Sequence, residues 1–324
     1  MKLMKTEDAV GQVLCHDSTQ IIRGVKKGPV FRKGHVITKE DIPVLLSVGK
    51  ERVYIWENNE NMLHENDAAD ILREICQGPH MHATEPKEGK IELVADIDGL
   101  LLIDLEHLRA VNSLGQMVKK GDTLCGTRII PLVIEKEKME AAKQAAGSQP
   151  LLQLLPLQPK RYGLVTTGSE VFHHRIEDTF SPVIEEKLAA FGCTMAAHEI
   201  LDDDPAAITA AINRMLADGC EMVFCTGGMS VDPDDRTSLA IKNTGARIVS
   251  YGAPVLPGAM FLVAYTADGR PICGLPGCVM YAKRTVLDLA LPRLLAGVPI
   301  TAEWLCLNCP ECHFPNCSFG KGTA

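Results

Sequence analysis

Leu164-Val165-Thr166-Thr167-Gly168-Ser169-Glu170 decides how this chain is read. A short apolar run ends in a glycine turn, and the same order recurs three times. The later turns are Thr226-Gly227-Gly228-Met229-Ser230, Leu256-Pro257-Gly258 and Gly274-Leu275-Pro276-Gly277. Three of the four lead into a helical pattern. Strands that feed helices through such turns predict a parallel sheet with its loops gathered along one edge. Loops rich in backbone N–H groups at that edge suit a phosphate or another anionic ligand.

Outward from this stretch, strands and helices alternate. Tyr162-Gly163-Leu164-Val165 has the apolar density of a buried strand, and Phe180, Val183, Ile184, Leu188 and Phe191 line a helical face closed by Gly192. Cys193 to Ile200 reads as a strand. Asp204 caps a helix that has Pro205 in its first turn and Ile208, Ala211, Ile212, Met215 and Leu216 on its inner face. Met222 to Cys225 is the next strand, followed by a helix from Asp235 to Asn243 and strands at Arg247–Tyr251, Met260–Tyr265 and Pro271–Cys273. Val279 to Leu295 reads as one long helix around Pro292. The expectation for 160–298 is an α/β three-layer sandwich with a mostly parallel sheet and right-handed crossovers. Residues 1–147 read as a β-rich α+β region, with a strand at Val53-Tyr54-Ile55-Trp56 and helices over Leu63–Cys76 and Glu135–Ala146. His64 falls near the start of the first of these helices, with the capping role expected of a neighbour. Residues 148–159, with prolines at 150, 156 and 159, read as a linker, and 299–324 as a cysteine-rich tail.

The chain has 324 residues, 46% apolar and 23% charged, with net charge −8. That is enough for two or more domains, and the acidic balance without a basic stripe argues against nucleic acid as a partner. No apolar run is long enough to cross a membrane, and the first residues lack the apolar core of a secretory signal, so a cytoplasmic protein is expected. The 12 cysteines then read as reduced thiols plus one metal site. P-loop, Rossmann and nucleophile-elbow patterns are absent.

Taken in order, these turns resemble the molybdenum-cofactor biosynthesis domain, the pterin-binding α/β domain of molybdopterin molybdotransferases and of the homologous part of gephyrin. The carrying segments are the four turns, Ile176-Glu177-Asp178-Thr179, Leu201-Asp202-Asp203-Asp204-Pro205, and Val231 with Asp235. The resemblance spans about 160–298; residues 1–147 are similar only in outline. It implies adenylylated molybdopterin and molybdate as substrates, an assisting magnesium ion, and a homodimer. It assigns ligand contacts to Thr167, Gly168, Ser169, Glu170, Thr226, Gly227, Gly228, Ser230, Pro257, Gly258, Leu275, Pro276 and Gly277. Glycines there would let ligand and backbone approach closely, and the hydroxyls would hydrogen-bond phosphate or pterin. Asp178 and Asp235 take the catalytic positions, with Asp235 also on magnesium, which can bridge carboxylate and phosphate. Each of these two acids, and Asp204 more so, also reads as a helix cap.

Some positions depart from the family pattern. Phe180 stands where the family has Asn, Leu256-Pro257-Gly258-Ala259 replaces a lysine-flanked Pro-Gly turn, and Cys278-Val279 replaces Asn-Pro. Losing lysines weakens the case for an anion site; Arg161, Arg175, Arg236, Lys283 and Arg284 are the candidates to compensate. Cys278, in the first turn of a helix, reads either as a thiolate or as a small buried apolar residue. His173-His174 follows the first turn, either beside the ligand or as a solvated pair.

Cys306-x-x-Cys309-x-x-Cys312-x4-Cys317 has the spacing of a zinc site or an iron–sulfur cluster, with His313 as an alternative ligand. Three functions follow as expectations: a molybdotransferase-like enzyme, a non-catalytic carrier or sensor of the cofactor, and an iron–sulfur redox accessory protein of a molybdoenzyme.

Overall fold

The computed structural model describes residues 2–22, 26–55, 60–104, 116–229 and 236–307. The chain divides into two units, Met1–Leu154 and Leu155–Ala324.

Among the described residues, the first unit is built from short antiparallel ladders and three α-helices. Lys2–Lys5 pairs with Arg52–Ile55, Ser18–Ile22 with Lys26–Phe31, and Met62–His64 with Val133–Glu135. Lys90–Ala95 is central in a three-stranded sheet between Met81–Ala83 and Thr123–Arg128. The helices are Asp41–Ser47, Glu65–Cys76 and Lys136–Ala146. His64 starts the second of them itself: its Nδ1 accepts from Asn66 N at 3.2 Å. The cap expected of a neighbour is therefore its own. Within the expected linker, Leu152–Pro156 is a strand that pairs with Gly99–Ile103. Trp56 lies outside the described residues.

The second unit holds a six-stranded sheet. Its strands are β1 (Arg161–Thr167), β2 (Thr194–Leu201), β3 (Met222–Thr226), β4 (Arg247–Tyr251), β5 (Leu262–Tyr265) and β6 (Pro271–Leu275). The spatial order is β2-β1-β3-β6-β5-β4. The first four of that order run parallel; β5 pairs antiparallel with β6, and β4 antiparallel with β5, so β5 alone runs against the rest of the sheet. Helices α1 (Ser169–Phe172), α2 (Phe180–Ala189), α3 (Pro205–Ala217), α4 (Thr237–Asn243), α5 (Val286–Leu295) and α6 (Ala302–Leu307) complete the unit.

Residue alternation along the strands sorts the core into two faces. Tyr162, Leu164, Met222, Phe224, Cys273 and Leu275 pack with α2, α5 and α6. Val165, Val223, Cys225, Leu262, Ala264 and Ile272 pack with α3 and α4. The central strands β1, β3 and β6 are therefore buried on both sides, which is why they read as unbroken apolar runs, while β2 and β4 toward the edges stay partly exposed. Each fully buried large side chain contributes about 1.5–3 kcal/mol. Cys225 and Cys273 are part of this core, and burial pushes the Cys225 thiol up to about 12.

The long helix expected over Val279–Leu295 is two elements. Gly277–Met280 forms a 3-10 turn, and α5 starts afresh at Val286. Thr285, in extended conformation, closes a capping box with Asp288 and forces the restart. Pro292 is accommodated inside α5.

Gly163 sets the approach of α3 to β1. A Cβ there would lie 2.6 Å from Met215 Sδ and 3.1 Å from Met215 Cβ. Gly163→Val is expected to cost about 1–3 kcal/mol by overpacking, read as a lower urea midpoint. An unchanged midpoint would show that α3 does not need this close approach.

Candidate functional site

All four glycine turns open into one cavity of about 540 Å³. It lies at the carboxyl ends of β1, β3 and β6, beside the point where the chain order reverses around β1. That is where ligands settle in open parallel sheets. Thr166, Thr167 and Glu170 come from the first turn, Gly227, Gly228 and Met229 from the second, Leu256, Pro257 and Gly258 from the third, and Pro276, Gly277 and Cys278 from the fourth. Asp178, Glu177, Phe180, Met280 and Tyr281 also line it.

Of the residues singled out from the sequence, Thr167, Glu170, Asp178, Gly227, Gly228, Pro257, Gly258, Pro276 and Gly277 are thus brought together. Gly168, Ser169, Thr226 and Leu275 do not line it. The Ser169 amide donates to Asp203 Oδ2 at 3.1 Å, so this N–H is already engaged by the protein. Thr226 is fully buried, and its carbonyl accepts from Thr167 Oγ1 at 3.2 Å. Asp204 caps α3 through Ala206 N at 2.9 Å. Ser230, Asp235, Cys309, Cys312, His313 and Cys317 lie outside the described residues, as does the side chain of Cys306. Among the described residues, no group of three His, Cys, Asp or Glu could hold a metal ion.

Packing gives three of these glycines a reason of their own. A Cβ on Gly227 would lie 2.1 Å from Thr167 O, one on Gly228 2.6 Å from Thr237 Oγ1, and one on Gly258 2.6 Å from Val286 Cγ1. All three also have positive φ. They are glycine because the turns are stitched to neighbouring chain, with Thr167 Oγ1 and Thr237 Oγ1 3.0 Å apart. Gly277 alone of these four would place a Cβ in open space.

Asp178 is held from several sides. Its Oδ1 accepts from Phe180 N at 2.8 Å and Ser181 N at 3.1 Å, and its Oδ2 accepts from the Ser181 hydroxyl. Thr166 Oγ1 and His198 Nε2 stand at 3.5 Å and 3.7 Å from the same oxygen. His198 Nε2 is also 3.0 Å from both Thr166 Oγ1 and Ser181 Oγ. Burial opposes ionisation of Asp178, but the Ser181 hydroxyl, the two amides and His198 together hold its carboxyl below the usual carboxylate range. The cap role of Asp178 is therefore realised at the cavity wall. His198 and Ser181 gave no sequence signal: one sits in an alternating strand and the other in a helical turn.

Cys278 has the opposite shift from the one its sequence position suggested. It lies in the short 3-10 turn, and burial pushes its thiol up, so the thiol form is favoured. The eight described cysteines are all free thiols.

No Lys, Arg or His lines the cavity among the described residues, while Glu170, Glu177 and Asp178 do. Arg161 stands at the amino end of β1, the opposite edge of the sheet.

With this geometry in hand, comparison places the second unit in context. Residues 163–296 match the family described as a probable molybdopterin binding domain, and residues 3–57 match a domain family of unknown function. The second unit thus carries a molybdopterin-binding domain, as the glycine turns implied. The chain is 26% identical over 193 residues to a molybdopterin molybdenumtransferase of Synechococcus elongatus, covering 56% of this chain and 46% of that protein. It is 35% identical over 83 residues to a molybdenum cofactor biosynthesis bifunctional protein of the same organism, covering 26% of each. The chain therefore spans less than half the length of either relative. Among solved structures, the molybdopterin biosynthesis enzyme MoaB of Thermus thermophilus is similar at 24% identity, covering 43% of this chain and 98% of that one with a TM-score of 0.35.

The folded protein holds Asp178 below its ordinary value of 3.8. Its contribution to stability is thus complete above that pH and lost as pH falls through the depressed folded value. Asp178→Ala is expected to cost about 1 kcal/mol at pH 7, as for other lost caps. In urea unfolding, the gap from wild type should narrow as pH falls below 3.8. A gap constant with pH would mean that the Asp178 charge contributes nothing to the cap.

Proposed function

We propose that the second unit binds a molybdopterin-type ligand, a phosphorylated pterin bearing a dithiolene, and acts in molybdenum-cofactor assembly as a molybdotransferase-like enzyme. The observation that carries this reading is the meeting of all four glycine turns at one cavity of about 540 Å³, a size that suits a small organic ligand. The family match over 163–296 and the names of the relatives support the same ligand class.

The wall divides into two chemistries. Phe180, Leu256, Met260, Met280 and Tyr281 offer apolar and sulfur surface to a planar heterocycle. Thr166, Thr167 and Thr179 offer hydroxyls for its polar edge. Catalysis on such a scaffold is positioning and electrostatics: the ligand is held rigid, water is excluded on the apolar side, and charge is met by fixed groups. Magnesium would neutralise phosphate charge against Glu170 or Glu177, and by resemblance Asp235, since it is commonly held by one or two carboxylates plus substrate phosphates. Asp178, already saturated by protein donors and held ionised, serves to fix the wall rather than to accept a proton.

A second reading, a carrier or sensor without turnover, is favoured by one observation: the described lining has no basic side chain to stabilise a leaving phosphate. Anaerobic binding of adenylylated molybdopterin, followed by AMP release with magnesium and molybdate, separates the two. Tight binding with AMP release is the expected result. Binding without release supports the carrier, and no binding overturns both.

Gly277→Leu gives a sharper check, because its Cβ meets nothing within 4 Å. The variant is expected to fold with its unfolding midpoint little changed, yet to bind the pterin at least about 10-fold more weakly by filling the cavity, a loss of about 1.4 kcal/mol. Unchanged affinity would remove the ligand from this cavity.

A further inference from the structure

The cavity leaves a charge problem that an adjacent hollow answers. A phosphate ester facing Glu170, Glu177 and Asp178 with no basic neighbour is repelled wherever no cation bridges it to them. Beside the cavity lies a second hollow of about 330 Å³, lined by Val171, His174, Arg175, Ile176, Glu177, Asp178 and Ile200. Val171, Ile176, Glu177 and Asp178 line both spaces, so the two share one wall. Arg175 and His174 are the basic side chains among all the described residues lining either space.

The turn that carries them is tightly built. Arg175 N and Ile176 N both donate to Glu170 O, at 2.8 Å and 3.2 Å, and His174 N donates to Val171 O at 3.0 Å. His174 adopts φ 54°, a left-handed conformation uncommon for a residue with a side chain. His173 turns to Asp202, with Nε2 3.5 Å from Oδ2. Neither His174 nor Arg175 forms an ion pair among the described residues. Of the other cations, Lys187 is tied to Asp288, and Arg161, Arg236, Lys283 and Arg284 line neither hollow.

We propose that the Arg175 hollow seats the pterin-side phosphate group of the ligand while the pterin and dithiolene occupy the neighbouring cavity, with Arg175 as the specificity-determining contact. This rests on the pterin reading above. Arginine suits the role because its planar fork binds two phosphate oxygens at once. Glu177 and Asp178 on the shared wall do not cancel it. Asp178 spends its charge on Ser181 and Phe180, and a guanidinium that chelates two phosphate oxygens directly stands against the one remaining carboxylate on that wall, Glu177.

The test compares anaerobic binding of molybdopterin with that of its phosphatase-treated form, for wild type, Arg175→Gln and Arg175→Lys. Wild type should favour the phosphorylated ligand, with an affinity that falls as salt rises. Arg175→Gln should lose about 10-fold or more for molybdopterin and almost nothing for the dephosphorylated form. Arg175→Lys should recover part of that loss. Equal affinities of Arg175→Gln and wild type for molybdopterin overturn the assignment while leaving the pterin reading intact. Failure of wild type to bind either form overturns the pterin reading itself. If Arg175→Gln instead weakens only the binding of free molybdate, measured alone, the hollow is a seat for that oxyanion and the phosphate assignment falls.

Discussion

The contact between the end of β1 and the glycine pair after β3 holds the site together. Thr167 Oγ1 reaches both Thr226 O and Thr237 Oγ1, and Gly227 approaches Thr167 O so closely that no side chain fits between. This stitch joins adjacent parallel strands at their carboxyl ends, where the backbone would otherwise splay toward helices on opposite faces. With β1 and β3 locked, the first two turns have fixed positions along the cavity wall. The third is seated by Gly258 against the start of α5, and the fourth follows β6 directly. The wall is thus built from backbone that the fold itself constrains, and its geometry does not depend on long side chains.

The same logic explains the polar cluster under the wall. Thr166 and Thr167 follow one another on β1, so their side chains leave on opposite faces. Thr167 secures the glycine pair, and Thr166 meets Ser181, His198 and Asp178 on the other side. One dipeptide therefore anchors both flanks of the cavity. The depressed carboxyl of Asp178 is the electrostatic trace of this arrangement, because several donors meet at one partly buried group.

Charge is distributed unevenly around the site. The cavity presents apolar and sulfur-bearing side chains with carboxylates, and the basic groups stand in the adjoining hollow. Such a division suits a ligand with a soft, planar body and an anionic end. On the proposed reading, it also accounts for a chain that departs from the lysine-flanked turn of the resembling family at Leu256-Pro257-Gly258. Recognition can move from one loop to the next when both open onto the same wall.

Much of the second unit was legible in the sequence because its signals are local. Apolar runs, helical spacing, Asp204 before Pro205 and glycine turns each need only a few neighbouring residues, and together they gave the order of strands and helices. The turns also pointed to a shared edge, since parallel strands place their following loops on one side. What the sequence left undecided depends on contacts between distant residues. The break between Met280 and Val286 follows from a capping box that outcompeted a continuous apolar pattern. Gly227, Gly228 and Gly258 proved to be glycine because folding lays Thr167, Thr237 and Val286 against them, and no local pattern carries that information. His198 joined the site because β2 lies beside β1, and Cys278 kept its proton because burial outweighed a short helical turn. Sequence determined the elements and their chemistry. Tertiary structure decided which groups face the cavity and which charges remain unspent, because burial and hydrogen bonding are properties of neighbours brought together by folding.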